Sequence, residues 1–188
     1  MEGNSHYSTK MKMSPTIRDM EASDLDKIAD YWLLSSPEHL QGMGVDLAKL
    51  PDRASLIQGL NNQINLPDHQ KQSLAFIAEI NGQASGHCNV NQIQLGKQAH
   101  MHLHIWDHHH RMKGMGSKMV SLALPHFFRR LNLQEIFCEP FAENPGPNKT
   151  LLRLGFQFQK TYLTVPGSLN FEQLVNQYSI QRHQVLDD

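Results

Sequence analysis

Residues His100 to Lys118 read HMHLHIWDHHHRMKGMGSK. Six of the chain's 12 histidines fall in the first eleven residues of this stretch, and a glycine-spaced segment follows at once. Two readings compete. Residues two apart on a strand share a face, so His100, His102 and His104 have a spacing that zinc uses, with His87 on the neighbouring strand as a further ligand. In the other reading the strand runs into a loop that holds phosphate. The zinc reading needs three or four ligands with partners behind them, and no metal ligand is assigned. The triplet at His108, His109 and His110 reads as a solvated loop.

Arg111-Met112-Lys113-Gly114-Met115-Gly116-Ser117 comes directly after that strand and directly before a helical run. The first amides of a helix lack intrahelical partners, and the helix dipole adds partial positive charge there. Gly114 and Gly116 leave room for an anion, and Arg111 and Lys113 add full charges. Together they describe a cradle for a pyrophosphate. A Walker loop would need GxxxxGK[ST], and a dinucleotide fold would need GxGxxG in repeated βαβ units. Neither occurs. The bland alternative is a turn before a helix.

The bulk numbers fit this picture. A length of 188 residues suits one domain able to bury a core. Net charge is -1, which excludes a global basic field for nucleic acid or a membrane surface. No apolar run approaches the roughly 18 residues of a membrane helix. Cys88 and Cys138 lack metal spacing and read as reduced thiols. The polar start MEGNSHYSTK has no apolar signal core, so a cytoplasmic location is expected. Residues 1–14 are expected to be a flexible lead and 15–188 a single domain.

Along the chain, SPTIRDM predicts a short strand. Ser23 is the expected cap of a helix carrying Leu25, Ile28, Ala29, Trp32 and Leu33 at helical spacing. A loop over SSPEH and GMG follows, then a second helix from Pro51-Asp52 that ends at Pro67. SLAFIAEI, the Asn81-Gly82 turn, QASGHCNVNQI and AHMHLHIW predict a three-strand meander. GMGSKMVSLALPHFFRRL predicts a helix, kinked or repacked at Pro125. EIFCEPF is a strand, Asn148 to Leu154 a short helix stopped by Gly155, and FQFQKTYLTV and NFEQLVNQYSI are the last two strands. The fold class is α+β, with helices on a largely antiparallel sheet. The strands on either side of the glycine-led helix are expected to be parallel.

A second segment carries more weight. Glu143 to Phe156 reads ENPGPNKTLLRLGF. It resembles the pattern ENxxSNRxLEKxGF of the GNAT superfamily of acyl-CoA-dependent N-acyltransferases, and RMKGMG resembles that superfamily's [RQ]xxGx[GA] loop. The likeness covers roughly residues 16–181 and is nearest to the branch of ribosomal-protein N-terminal acetyltransferases. It implies a twisted, mixed but mostly antiparallel sheet of six to seven strands with helices on both faces. It also implies acetyl transfer from acetyl-CoA to a primary amine by direct attack in a ternary complex.

By that resemblance, Arg111 and the amides from Met112 to Ser117 hold the pyrophosphate of CoA. The main chain from His104 through Ile105 to Trp106 pairs with the pantetheine arm, and the amides near Ile105 and Trp106 polarise the thioester carbonyl. Asn144 hydrogen-bonds the arm, and Asn148 and Lys149 lie near it. Where family members often carry a glutamate base, this strand offers His102 or His104, whose ordinary pKa suits proton removal at neutral pH. Tyr162 or Tyr178 is the expected acid for the departing thiolate. Pro147, Leu151, Leu152 and Arg153 depart from the family pattern. They leave open a non-catalytic CoA-binding or sensing module of the same fold. The acceptor is a small-molecule or peptide amine, with Glu38, His39, Asp46, Asp52 and Glu172 as possible attracting groups. The protein is expected to be a monomer or homodimer.

Overall fold

The computed structural model describes residues 15–106 and 114–186. The expected lead at 1–14, the histidine triplet, Arg111, Met112 and Lys113 lie outside the described residues.

Seven strands form one sheet: β1 (Thr16–Asp19), β2 (Ser73–Ile80), β3 (Gln83–Gln94), β4 (Gln98–Ile105), β5 (Glu135–Cys138), β6 (Gln157–Thr164) and β7 (Gln173–Gln181). Their order is β1-β2-β3-β4-β5-β7-β6, and every neighbouring pair is antiparallel except β4 and β5. The helices are α1 (Leu25–Leu34), α2 (Pro37–Gly42), α3 (Arg53–Ile64), α4 (Met115–Arg130) and α5 (Pro145–Arg153). The α+β class and the parallel β4–β5 pair agree with the sequence.

The β2–β3 turn follows from its residues. Asn81 and Gly82 have φ of 53° and 75°, the left-handed region that the tight hairpin turn requires. The face of the sheet covered by helix α4 holds the main core. Val120, Ala123, Phe127 and Phe128 are each at most 1% exposed and pack over Cys88, Val90, Met101 and Ile136, while Met119, also 1% exposed, packs with Ala78 and Ile80. Burying each large side chain contributes about 1.5–3 kcal/mol. Leu122, which follows Val120 and Ser121 on the same helix, is 38% exposed. The helix runs unbroken through Pro125.

Three local expectations are corrected. Ser23 is exposed; Glu21 and Asp24 form the capping box, and the Glu21 amide donates to Asp24 Oδ2 at 2.9 Å. The SSPEH stretch is helical: Ser36 Oγ accepts from the His39 amide and Pro37 opens α2. Helix α5 starts at Pro145 rather than Asn148, because Asn144 caps it and a proline is well suited to the first helical position.

The feature that positions the site is where β4 and β5 part. Their register covers Gln98↔Glu135, Ala99↔Ile136 and His100↔Phe137 and then stops, while β4 continues to Ile105. Past Cys138, Pro140 has no N–H to donate to a ladder. Phe141 bridges instead to Val175 of β7, so the chain follows β7 away from β4. The Trp106 amide donates to the Ser85 carbonyl at 2.9 Å, which fixes the alternation along β4. Main-chain groups of the even-numbered residues face β3, and those of Met101, Leu103 and Ile105 face the gap left by β5.

Candidate active site

A cleft of about 930 Å³ opens over the gap. Its lining runs from the start of α4 (Gly114, Gly116, Ser117) along β4 to Glu139 and to Asn144 and Lys149 beside α5. The two glycines serve different ends. Gly114 caps α4 with φ +72°, a conformation costly for a residue with a Cβ. A Cβ on Gly116 would stand 3.0 Å from Leu103 Cδ2, so glycine here lets α4 approach β4 closely. Met115 is buried beneath the helix, and its side chain belongs to the core.

Side chains of β4 divide by parity. Met101, Leu103 and Ile105 pack under α4. His100, His102 and His104 point to the opposite face, where α1 lies. The ring of His104 is wedged there. It stacks on His87 with centroids 4.6 Å apart, meets Trp32 at 4.8 Å, and places Nδ1 3.3 Å from the Tyr31 hydroxyl. That hydroxyl is also 3.4 Å from His39 Nε2. The Trp106 indole N–H donates to His87 Nδ1 at 2.8 Å, which puts the His87 proton on Nε2. Burial pushes the pKa of His87 down to about 3 and that of His104 well below its ordinary value.

His102 is held differently. Its Nε2 lies 3.0 Å from Asn91 Oδ1, so the ring proton sits on Nε2 and Nδ1 keeps a lone pair. Burial, aided by His100, lowers its pKa to about 4, against the pull of Glu139. The ring is therefore neutral and basic at Nδ1 near pH 7. Among the described residues no group of three or more His, Cys, Asp or Glu is arranged to hold a metal ion.

Tyr162 and Glu139 form a pair that spans the sheet. The Tyr162 hydroxyl donates to Glu139 Oε1 at 2.6 Å, and Gln177 Nε2 donates to the same oxygen at 2.6 Å. Burial and this carboxylate raise the Tyr162 pKa to about 12. Glu139 was not singled out in the sequence, because its partners come from β6 and β7, far along the chain. Tyr178 is buried and donates to Asn148 Oδ1 at 3.0 Å.

The asparagines of the second motif separate. Asn144 caps α5, with Oδ1 accepting from the Gly146 amide, and lines the cleft. Asn148 is buried and uses its whole amide internally. Nδ2 donates to the Asn144 and Phe141 carbonyls, and Oδ1 accepts from Asn176 and Tyr178. It ties α5 to β7. Lys149 is exposed at the cleft edge. The Trp106 amide, expected to face the thioester, is committed to β3. Of the guessed attracting groups, Glu38 and His39 line the cleft, Asp46 and Asp52 cap a turn and a helix, and Glu172 is exposed. Cys88 is buried, and burial raises the pKa of both cysteine thiols, to about 12 for Cys138. Neither is poised as a nucleophile.

Residues and shape suit acetyl-CoA. A gap edged by main-chain amides can pair with the peptide-like groups of a pantetheine arm, and the glycine-led helix start can face its pyrophosphate. No helix among the described residues is long and apolar enough to cross a membrane.

Comparison with known proteins agrees. Residues 16–157 match the family described as acetyltransferase (GNAT) domain. A Bacillus licheniformis protein called uncharacterized N-acetyltransferase p20 is 29% identical over 147 residues, covering 76% of this chain and 78% of that protein. The fold is similar to spermidine N-acetyltransferase from Vibrio cholerae in complex with CoA and spermine, with TM-score 0.75 and 20% identity over 93% of this chain and 99% of the other. It is also similar to RimL, a ribosomal L7/L12 alpha-N-protein acetyltransferase in complex with CoA, with TM-score 0.73 and 15% identity over 90% and 95% of the two chains. With the family match spanning the whole motif-bearing region, from β1 through the glycine-led loop to α5, the chain belongs to the GNAT acetyltransferases, which transfer an acetyl group from acetyl-CoA to an amine.

Proposed function

We propose that this chain acetylates an aliphatic primary amine in a ternary complex, with His102 as the base. The observation that carries this reading is the parting of β4 from β5 beyond His100↔Phe137, with His102 on the opposite, α1-facing side of the strand. Acetyl-CoA supplies the activated acyl group. The amides of Leu103 and Ile105, directed into the gap, hold the arm and polarise the carbonyl as fixed donors. The start of α4 takes the pyrophosphate.

The acceptor enters from the α1 and α2 side, past His39 and Glu38. Its nitrogen must be uncharged to attack. The acceptor attacks as its free amine, the new C–N bond forms as the C–S bond breaks, and CoA leaves as a thiolate that takes a proton from water. The Nδ1 lone pair of His102 accepts the proton the nitrogen sheds as it bonds to the acyl carbon, directly or through water, while Asn91 keeps the ring in the useful tautomer. A base of low pKa suffices for the final proton, because the attacking nitrogen becomes strongly acidic as the new bond forms. His104 serves as a wall, locked by Tyr31 and His87. Tyr162 serves Glu139, since its proton is directed there. The spermine bound by one fold neighbour supports a cationic acceptor here.

A thiol-release assay over a panel of amines tests the reading. His102→Gln should lower kcat by about 10²- to 10⁴-fold, the usual worth of a general base, with little change in the KM for acetyl-CoA. CoA binding without turnover on any amine would instead support a binding module.

A further inference from the structure

Glu139 lies just past the end of β5, in the cleft, on the same face as His100 and His102. Its side chain is only 8% exposed. Oε1 is fixed by two neutral donors, Tyr162 and Gln177. The nearest ionisable partner of Oε2 among the described residues is His100 Nδ1, 3.7 Å away. Burial outweighs the pull of Glu139 and leaves His100 neutral near pH 7. Among the described residues no lysine or arginine pairs with Glu139.

A nearly buried carboxylate without a cation is costly, and such groups are normally paired. Two well-placed donors hold this one rigidly, with Oε2 left for another partner. Among the described residues no cation reaches Oε2, and in a cleft that receives amines a cation carried by the ligand fits that place. It is not the reacting nitrogen, because a fixed carboxylate would keep that nitrogen protonated and unable to attack. The position agrees. Glu139 stands beside His100, and His102 is two residues on, about 7 Å along the strand.

We propose that Glu139, positioned by Tyr162 and Gln177, binds a second, non-reacting cationic group of the acceptor. The acceptor class is then an aliphatic amine carrying another positive charge a few methylenes away, as in a diamine or a longer polyamine. This rests on the transfer reading above and adds its substrate class.

The test compares 1,4-diaminobutane with n-butylamine at pH 7.5, scoring the ratio of their kcat/KM values. In the wild-type protein the diamine should be preferred. Glu139→Gln retains an oxygen for Tyr162 and Gln177 but removes the charge. It should reduce the diamine-to-monoamine ratio by about 10- to 100-fold, the worth of one charge-assisted hydrogen bond, mostly through the KM for the diamine. Tyr162→Phe removes one of the two donors and leaves the charge, so it should lower the ratio by less; it also serves if the first variant fails to fold. Equal wild-type use of the two amines, or a ratio unmoved in both variants, would overturn the proposal. Equal loss on both amines in Glu139→Gln would also overturn it, by placing Glu139 at the reacting nitrogen. Turnover of neither amine by the wild-type protein, while another amine of the panel is acetylated, would overturn this inference alone; turnover of no amine in the panel would overturn the transfer reading and this inference with it.

Discussion

Replacing Asn148 by alanine should weaken the fold more than it weakens the grip on CoA. The side chain makes four hydrogen bonds: to the carbonyls of Phe141 at 3.1 Å and Asn144 at 2.6 Å, and from Asn176 at 2.8 Å and the Tyr178 hydroxyl at 3.0 Å. Alanine deletes all four and leaves a small void. Asn176 and Phe141 are half-buried and can find water; the buried Tyr178 hydroxyl finds it least easily. A buried polar group left unpaired costs about 1–3 kcal/mol, and an ordinary bond lost to water about 1 kcal/mol or less. The sum is about 3 kcal/mol. For a chain of this size that is a fall in Tm of about 6–12 °C. Calorimetry and urea titration would measure it, beside the KM for acetyl-CoA. Asn148→Asp sharpens the test. It keeps both acceptor bonds but turns a donor into an anion facing two carbonyls, so its loss should be at least as large. A Tm within 2 °C of wild type in Asn148→Ala, together with a tenfold rise in KM, would refute this account and make Asn148 a CoA ligand.

Two further outcomes are expected. Gly114→Ala should cost about 1–2 kcal/mol, since φ +72° is unfavourable for alanine, and should weaken CoA binding in calorimetry. A CoA affinity equal to wild type would remove the helix start from the site. The stability of the fold should fall as pH drops below 6.5. His87 and His102 have folded pKa values of about 3 and about 4, below the 6.5 of an unfolded histidine. The unfolded chain therefore takes up protons first. The contribution is full above pH 6.5 and is lost on the descent toward pH 4, by up to about 1.4 kcal/mol per pH unit for each ring. Thermal melts at pH 8 and 5 would show this, and equal Tm values would contradict it.

Much of the fold was legible where a residue's local chemistry decides its conformation. Asn81-Gly82 marks its hairpin because both residues accept positive φ, and Asp52 announces α3 as its cap. The glycine-led helix was legible for the same reason. What sequence could not give depends on distant partners. Tyr31, flanked by Asp30 and Trp32, lies off the apolar spacing read for α1, yet it is the buried residue of that turn, because His104 and His39 meet its hydroxyl. Asn148 matches a family motif, but only the insertion of β7 between β5 and β6 supplies Asn176 and Tyr178 to saturate it. Glu139 gains Tyr162 and Gln177 by the same insertion. The three strand histidines looked alike in sequence. Asn91 of β3, Tyr31 of α1 and Glu139 just past β5 make them different.

The most direct test is a crystal structure with acetyl-CoA bound. The pantetheine arm should lie in the gap between β4 and β5, hydrogen-bonded to the main chain of Leu103 and Ile105. The pyrophosphate should sit at the start of α4, and His102 Nδ1 should face the space beside the acetyl carbon. A nucleotide bound elsewhere, or β5 closed against β4 beyond His100 with the ligand present, would contradict the account.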